Sequence, residues 1–473
     1  MLKIDATEHR TSASRRRQWL TTVVVLGLLL STPASAPRAA VLAESVAERV
    51  SETTLGNGLK VLIIEEHKAP VVTVQVWYRV GSRDEPAGKT GLSHMLEHMM
   101  FKGTAEVGAK QFSTLIRQNG GQDNAFTTTD YTGYYIDFAA DRVGLALKLE
   151  ADRMVNLLLK PEDFLPERQV VMEERRLRTE DQPGQVLGEA LRAAAFMAHP
   201  YHWPVIGWGS DIEGYTRDDL VRHYRTYYVP NNATLVVAGD VRKAEILPQI
   251  QALFGTMPRG AAPPVVITTE PPQRGERRIV VRKEAELPLV FAVYHVPTVA
   301  HPDAFALEVL AYILGGGASA RLHQHIVYEK RLATFATADY SGMHRDPHLF
   351  GLNAGPMPGK SAEEVEQALY AEVDRLIRDP IGDRELQKAK NQIEAEFVFT
   401  QDSVRRMATL LGSLESVASW KLLIGYLEGI RKVSADDVKR VARQYLTPEN
   451  RTVGILVPLP RPASAAVQPG GRP

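Results

Sequence analysis

One helix–turn–strand unit occurs twice in this chain, and that repetition constrains the fold more than any other feature. Asp218-Asp219-Leu220-Val221 and Asp436-Asp437-Val438-Lys439 begin matching segments. Tyr227, Pro230, Asn232 and Thr234 then fall against Tyr445, Pro448, Asn450 and Thr452 without a gap. Coincidence in a common helix-Pro-Asn-strand pattern is the competing explanation, and the gapless register weighs against it. Two such units imply two homologous domains of about 200 residues each, in the α+β class.

The text around the repeats is consistent with that division. Thr54 to Leu59 reads as a turn, and Lys60 to Glu65 and Val71 to Val80 are β-branched strand text. Gly81 to Thr90 reads as a polar loop and Gly91 to Phe101 as a helix. Lys110 to Asn119 reads as a second helix, closed by Gly120-Gly121. Ala125 to Phe138 alternates in strand fashion, and Asp141 to Leu159 is helical. Pro166 suits the first turn of a helix carrying Glu167 to about Thr179. Pro, Gly and Arg concentrate between Pro258 and Arg277, the expected linker. Strand and helix text then recur in the same order. The expected bounds are 44–257 for the first domain, 258–277 for the linker and 278–460 for the second domain. The Pro/Ala/Gly-rich tail, 461–473, is expected to be disordered.

Composition narrows the chemistry. With 56 basic and 56 acidic residues the formal net charge is zero, which argues against a nucleic-acid partner. The chain has no cysteine, so disulfides, thiolate ligands and a thiol nucleophile are excluded, and any metal must be held by His, Asp or Glu. Residues 1–43 read as an export signal. Arg15-Arg16-Arg17 precedes the apolar run Trp19 to Leu30, and Ala34-Ser35-Ala36 fits a cleavage site that Pro37 would hinder, with a cut after Ala43 as the alternative. Arg16-Arg17-Gln18-Trp19-Leu20 also resembles a twin-arginine signal. The expected location is periplasmic or secreted, with no membrane span after signal removal.

His94-Met95-Leu96-Glu97-His98 carries the candidate chemistry. Two histidines four apart lie one above the other on a helical face, with the glutamate beside them. Two neutral imidazoles in that relation can reach one zinc, and the carboxylate can take a proton from a water on the metal. This H-x-x-E-H order is the inverted zincin pattern. A solvated surface helix is the bland alternative. Leu92, Met95, Leu96, Met99 and Met100 make the helix mostly apolar, however, and three ionisable groups on a buried helix need a reason. A catalytic zinc needs a third protein ligand. Glu167 and Glu174 are two helical turns apart and share a face, so Glu174 could ligate while Glu167 holds a histidine from behind. Spacing alone does not select Glu174 over Glu173 or Glu180.

At these residues the chain resembles the pitrilysin-like (inverzincin) zinc metallopeptidases, the family of insulin-degrading enzyme and the mitochondrial processing peptidase β-subunit. His94-x-x-Glu97-His98 followed by Glu174 is similar to the family signature, and Glu167-Arg168-Gln169-Val170-Val171-Met172-Glu173-Glu174 looks like its distal-ligand helix. The resemblance implies zinc on His94, His98 and Glu174, with Glu97 as general base and Glu167 as the supporting acid. Gly120-Gly121-x-x-Asn124-Ala125-x-Thr127 resembles the segment around the family's substrate-pairing edge strand, which implies peptide binding at Asn124 and Ala125. His199-Pro200-Tyr201-x-x-Pro204-Val205-Ile206-Gly207 resembles another family stretch. Size and repeat look like the short-chain branch, with its bacterial periplasmic relatives: two α/β-roll domains per chain, and two chains building one chamber.

One departure matters. Active relatives carry an arginine and, seven residues later, a tyrosine after a segment like Gly315-Gly316-Gly317-x-Ser319-x-Arg321-Leu322. The corresponding positions here are Tyr328 and Phe335. The resemblance therefore implies a homologous partner chain without the zinc motif, or a homodimer with different substrate contacts. The expected function is a zinc endopeptidase acting on peptides or unfolded segments. The alternatives are a non-catalytic chamber subunit and a periplasmic peptide-binding protein.

Overall fold

The structure is a computed structural model, and it describes residues 48–460. The expected export signal and C-terminal tail lie outside the described residues. Strands β1 (Val50–Thr54), β2 (Lys60–Glu65), β3 (Val71–Tyr78), β4 (Gln122–Thr127), β5 (Thr132–Ala139) and β6 (Ala233–Gly239) form one sheet in the order β1-β2-β6-β3-β5-β4. Strands β7 (Arg277–Glu284), β8 (Leu289–Val296), β9 (Ala333–Tyr340), β10 (His348–Pro356) and β11 (Arg451–Leu459) form a second, in the order β7-β11-β8-β10-β9. Each sheet has one parallel pair, β2 with β6 and β7 with β11, and is otherwise antiparallel. Apart from β1, the two orders match strand for strand. This is the α+β architecture expected from the repeat.

Six of the described helices build the site, form the repeated unit or cross from one half to the other's sheet: α1 (Leu92–Met99), α2 (Pro161–Arg175), α3 (Pro183–Ala195), α4 (Arg217–Tyr227), α5 (Val404–Val417) and α6 (Ala435–Tyr445). The repeated text folds alike in both copies. α4 starts at a capping box of Thr216 and Asp219, and α6 at one of Ser434 and Asp437. A short 3-10 turn follows each helix, Pro230–Asn232 and Pro448–Asn450. The Asn232 amide donates to the Tyr227 carbonyl at 2.9 Å, and that of Asn450 to Tyr445 at 2.8 Å. The asparagine thus ties the strand's start to the helix end, which is why Tyr, Pro and Asn recur at fixed spacing.

Alternation along β3 explains its burial on both sides. Val72, Val74 and Val76 face the core that contains Met95, Leu96 and Leu220, while Trp77 faces one containing Leu411 and Leu414 of α5. A helix of the second half therefore covers the first sheet. The reverse also holds: α3 lies on the second sheet, with Leu187 and Leu191 over Gly454 of β11. Glycine permits both close crossings. A Cβ on Gly412 of α5 would lie 2.1 Å from the Trp77 ring, and one on Gly454 would lie 3.0 Å from Leu187 Cδ1.

Two readings of the sequence need correction. Ala125 to Phe138 is not one alternating stretch but the hairpin β4–β5, because the Thr128 hydroxyl accepts from the backbone N–H groups of Asp130 and Tyr131 and closes a turn. Pro166 is not in a first turn. Pro161 takes that place, and α2 runs through Pro166, whose missing N–H simply omits one helical bond. Gly81 to Thr90 is the polar loop expected, with Pro86 to Gly88 exposed and Ser82, Arg83 and Glu85 buried.

Candidate active site

The local sequence places α1 with little freedom. Gly91 precedes it at φ 91°, and the Glu85 carboxylate accepts from the N–H groups of Gly91 at 2.7 Å and Ser93 at 2.6 Å. Burial pushes the Glu85 carboxyl up to about 8 even against those two donors. Sequence reading missed Glu85. It lies too far ahead of the helix for a capping box, and its acidity was the one available cue. Backbone also meets backbone here: a Cβ on Gly91 would lie 2.4 Å from the Ile206 carbonyl oxygen, and one on Gly207 would lie 2.4 Å from that of Thr90. That contact fixes the stretch ending in Pro204-Val205-Ile206-Gly207 against the start of α1. Leu92, Met95, Leu96 and Met99 then point into the core, leaving His94, Glu97 and His98 on the opposite face.

That face opens on a cleft of about 1120 Å³ whose wall includes α1, the end of α2, one side of α3 and strand β4. His94 Nε2 and His98 Nε2 lie 3.8 and 3.2 Å from Glu174 Oε2, and one ligand atom from each of the three residues falls within 4.8 Å of the others. Donors about 2.0–2.2 Å from a tetrahedral zinc stand roughly 3.3–3.6 Å apart, so two imidazoles and a carboxylate in this arrangement fit that ion. The alternatives to Glu174 point elsewhere. Glu173 is half-exposed and pairs with Arg176, and Glu180 pairs with Arg175 at 3.1 Å.

Behind the three donors, His98 Nδ1 lies 2.9 Å from Glu167 Oε1, and Lys102 pairs with the same carboxylate. In front of them, the Thr127 hydroxyl donates to Glu97 Oε2 at 2.6 Å. Asn124 and Ala125 line the cleft from β4, the edge strand of its sheet, and the Ala125 N–H donates to the Asn124 side chain at 2.9 Å. All seven residues singled out in the sequence therefore meet at one cleft. Tyr328 and Phe335 do not line it; both are exposed, Phe335 on edge strand β9. Thr127 is the neighbour whose part the sequence did not reveal.

The ionisation pattern follows from burial and partners. Burial raises the Glu97 carboxyl above its ordinary value, and the Thr127 hydrogen bond offsets only part of that. Burial and the nearby His98 push His94 down to about 4. On His98 burial also opposes the cation, but hydrogen bonds to Glu167 and Glu174 outweigh it and lift the imidazole to about 9. The hydrogen bond to His98 holds Glu174 below the usual carboxylate range.

Comparison with known proteins bears on the family of the chain. Residues 60–208 match the family described as "Insulinase (Peptidase family M16)", and residues 214–393 match "Peptidase M16 inactive domain". "Zinc protease PqqE" of Helicobacter pylori is 35% identical over 420 residues, spanning 88% of this chain and 94% of that one. An Arabidopsis thaliana chain described as "Probable mitochondrial-processing peptidase subunit beta, mitochondrial" is 27% identical, over 86% of this chain and 78% of its own length. The crystal structure of a protease from Helicobacter pylori superposes with a TM-score of 0.84 at 35% identity, covering 86% of this chain and 99% of that one. Sequence and fold together make this chain a member of the insulinase, or M16, peptidase family.

Proposed function

We propose that this chain is a zinc endopeptidase of peptides and unfolded protein segments. The observation that carries the reading is the convergence of His94, His98 and Glu174 on one point, with Glu97 beside them and an open strand edge opposite. Bound by those three residues, zinc would supply Lewis acidity toward the scissile carbonyl and acidify its own water. Glu97 takes the proton of the attacking water and passes it to the leaving amine. Its raised pKa suits it to both steps, and Thr127 keeps its carboxylate turned toward the cleft. Glu167 fixes the ring of His98 through Nδ1, leaving Nε2 for the metal. Asn124 and Ala125 hold an extended peptide by main-chain hydrogen bonds along β4.

A second body completes the cleft. Among the described residues the cleft is lined by those between His94 and Ile206, with none from the second half, and the Arabidopsis relative is by its description a subunit. A homologous chain or a second copy would supply the missing wall and the substrate contacts absent at Tyr328 and Phe335. The arginine-led apolar N-terminus supports a role outside the cytoplasm, and among the described residues no helix is long and apolar enough to cross a membrane.

Glu97→Gln tests the mechanism. It should retain zinc and lower peptide cleavage by roughly 10²–10⁴-fold, the usual worth of a general base. Undiminished cleavage would reject the mechanism. A wild-type chain that takes up no zinc would favour the non-catalytic chamber subunit instead.

A further inference from the structure

The far wall of the cleft holds a cation with no partner among the described residues. Gln185, Gly188, Glu189 and Arg192 of α3 line the cleft at three- and four-residue spacing, so they form one face of the helix. The other basic side chains in the wall are engaged. Lys102 pairs with Glu167, and Arg178 lies 2.6 Å from Glu174. Arg192 makes no side-chain hydrogen bond or ion pair with any described residue, and its nitrogens are not sealed from solvent. Glu189, the acid that acts on it, is already committed, receiving Arg175 Nη1 and Nη2 at 2.9 Å each on its two oxygens. Burial works against the Arg192 cation, and Glu189 offsets this only in part. One turn earlier, Gly188 leaves open space where a side chain would stand.

A half-buried guanidinium on the cleft wall with its donors unpaired and reachable from the cleft is open to a ligand, and a planar carboxylate is the group that matches its fork of donors. Resting on the reading of the cleft as a peptide site, we propose that Arg192 is a specificity residue that binds a carboxylate of the bound peptide. That carboxylate comes from an Asp or Glu side chain or from the peptide's free C-terminus. The space beside Gly188 admits the group, and Gln185 and Glu189 flank it along the helix. The site thereby selects acidic or C-terminal segments over neutral ones, whereas main-chain pairing at β4 is indifferent to side chains.

Binding separates this inference from the peptidase reading. The probes are fluorescein-labelled peptides, each with one Glu scanned along an alanine-rich sequence, with Gln isosteres, and with a free or amidated C-terminus. They are titrated against full-length, zinc-loaded Glu97→Gln. One acidic position, or the free C-terminus, should bind at least roughly ten-fold tighter than its neutral counterpart, as a charge-assisted pair does. Adding Arg192→Gln should bring that ratio to about one, Arg192→Lys should keep part of it, and Arg192→Glu should favour Lys at the same position. A Glu response identifies a side-chain carboxylate, and an amide-sensitive response identifies the C-terminus. No acid preference at any position would overturn the proposal, as would a preference that survives Arg192→Gln. If Arg192→Gln fails to fold, an equal loss of binding for acidic and neutral peptides in Arg192→Lys would also overturn it. Charge-selective binding by a chain whose wild type cleaves nothing would uphold Arg192 and reject the peptidase reading.

Discussion

Glu167 lies between the His98 ring and the Lys102 cation; burial works against its charge, but the hydrogen bonds to His98 and Lys102 outweigh it and hold the carboxyl below the usual carboxylate range. An ionised Glu167 fixes the tautomer of His98. Glu167→Gln should therefore weaken zinc binding by about 10–100-fold while leaving the fold intact, as read by competition with a chelator. An unchanged affinity would remove Glu167 from the site. At this scale the sequence was most legible where one helix decides the geometry. His94, Glu97 and His98 share a face by spacing alone. The choice among Glu173, Glu174 and Glu180 was not legible, because it depends on which way α2 and its continuation turn toward α1. Arg192 was invisible for a related reason: a cation's lack of a partner is a property of the packed wall.

At the scale of elements, helix–sheet crossings carry the stability. Trp77 fills the space that Gly412 leaves on α5, so Gly412→Ala must push the indole or the helix away. The expected cost is about 1–3 kcal/mol, read by denaturant unfolding. In the second half the Tyr426 hydroxyl donates to Glu308 at 2.6 Å, and burial, helped by the nearby Glu396 carboxylate, lifts the Glu308 carboxyl to about 7. In the unfolded chain it titrates near the ordinary value of about 4.3. The folded state thus keeps a proton that the unfolded state releases, and stability falls as pH rises from about 4.3 to 7. Glu308→Gln should be more stabilising at pH 8 than at pH 5, by about 1–3 kcal/mol. An effect independent of pH would contradict that assignment. Strands such as β2 were readable from β-branched runs. The β4–β5 turn was not, since the threonines 127 to 129 look like strand text until the Thr128 hydroxyl is seen to close the turn. The start of α2 was missed because two prolines, Pro161 and Pro166, offered the same signal five residues apart.

Across the whole molecule the two halves cover each other's sheets, α5 on the first and α3 on the second. The repeat in the sequence announced two similar units but not this exchange, because an apolar helix face does not say which sheet it meets. Residues 44–257 made alone should therefore expose Leu62, Trp77 and Val236, together with the α3 face of Leu187 and Leu191. They should aggregate, and become soluble when produced with residues 258–460. A soluble first half that unfolds cooperatively by itself would contradict this.

The zinc centre is the claim on which the rest depends, and metal stoichiometry tests it most directly. Zinc should be counted in the purified wild-type chain and in Glu97→Gln, Glu173→Gln and Glu174→Gln. The expected result is one zinc per chain in the first three and its loss in Glu174→Gln alone. Full zinc in Glu174→Gln, or none in the wild type, would contradict the site built on His94, His98 and Glu174.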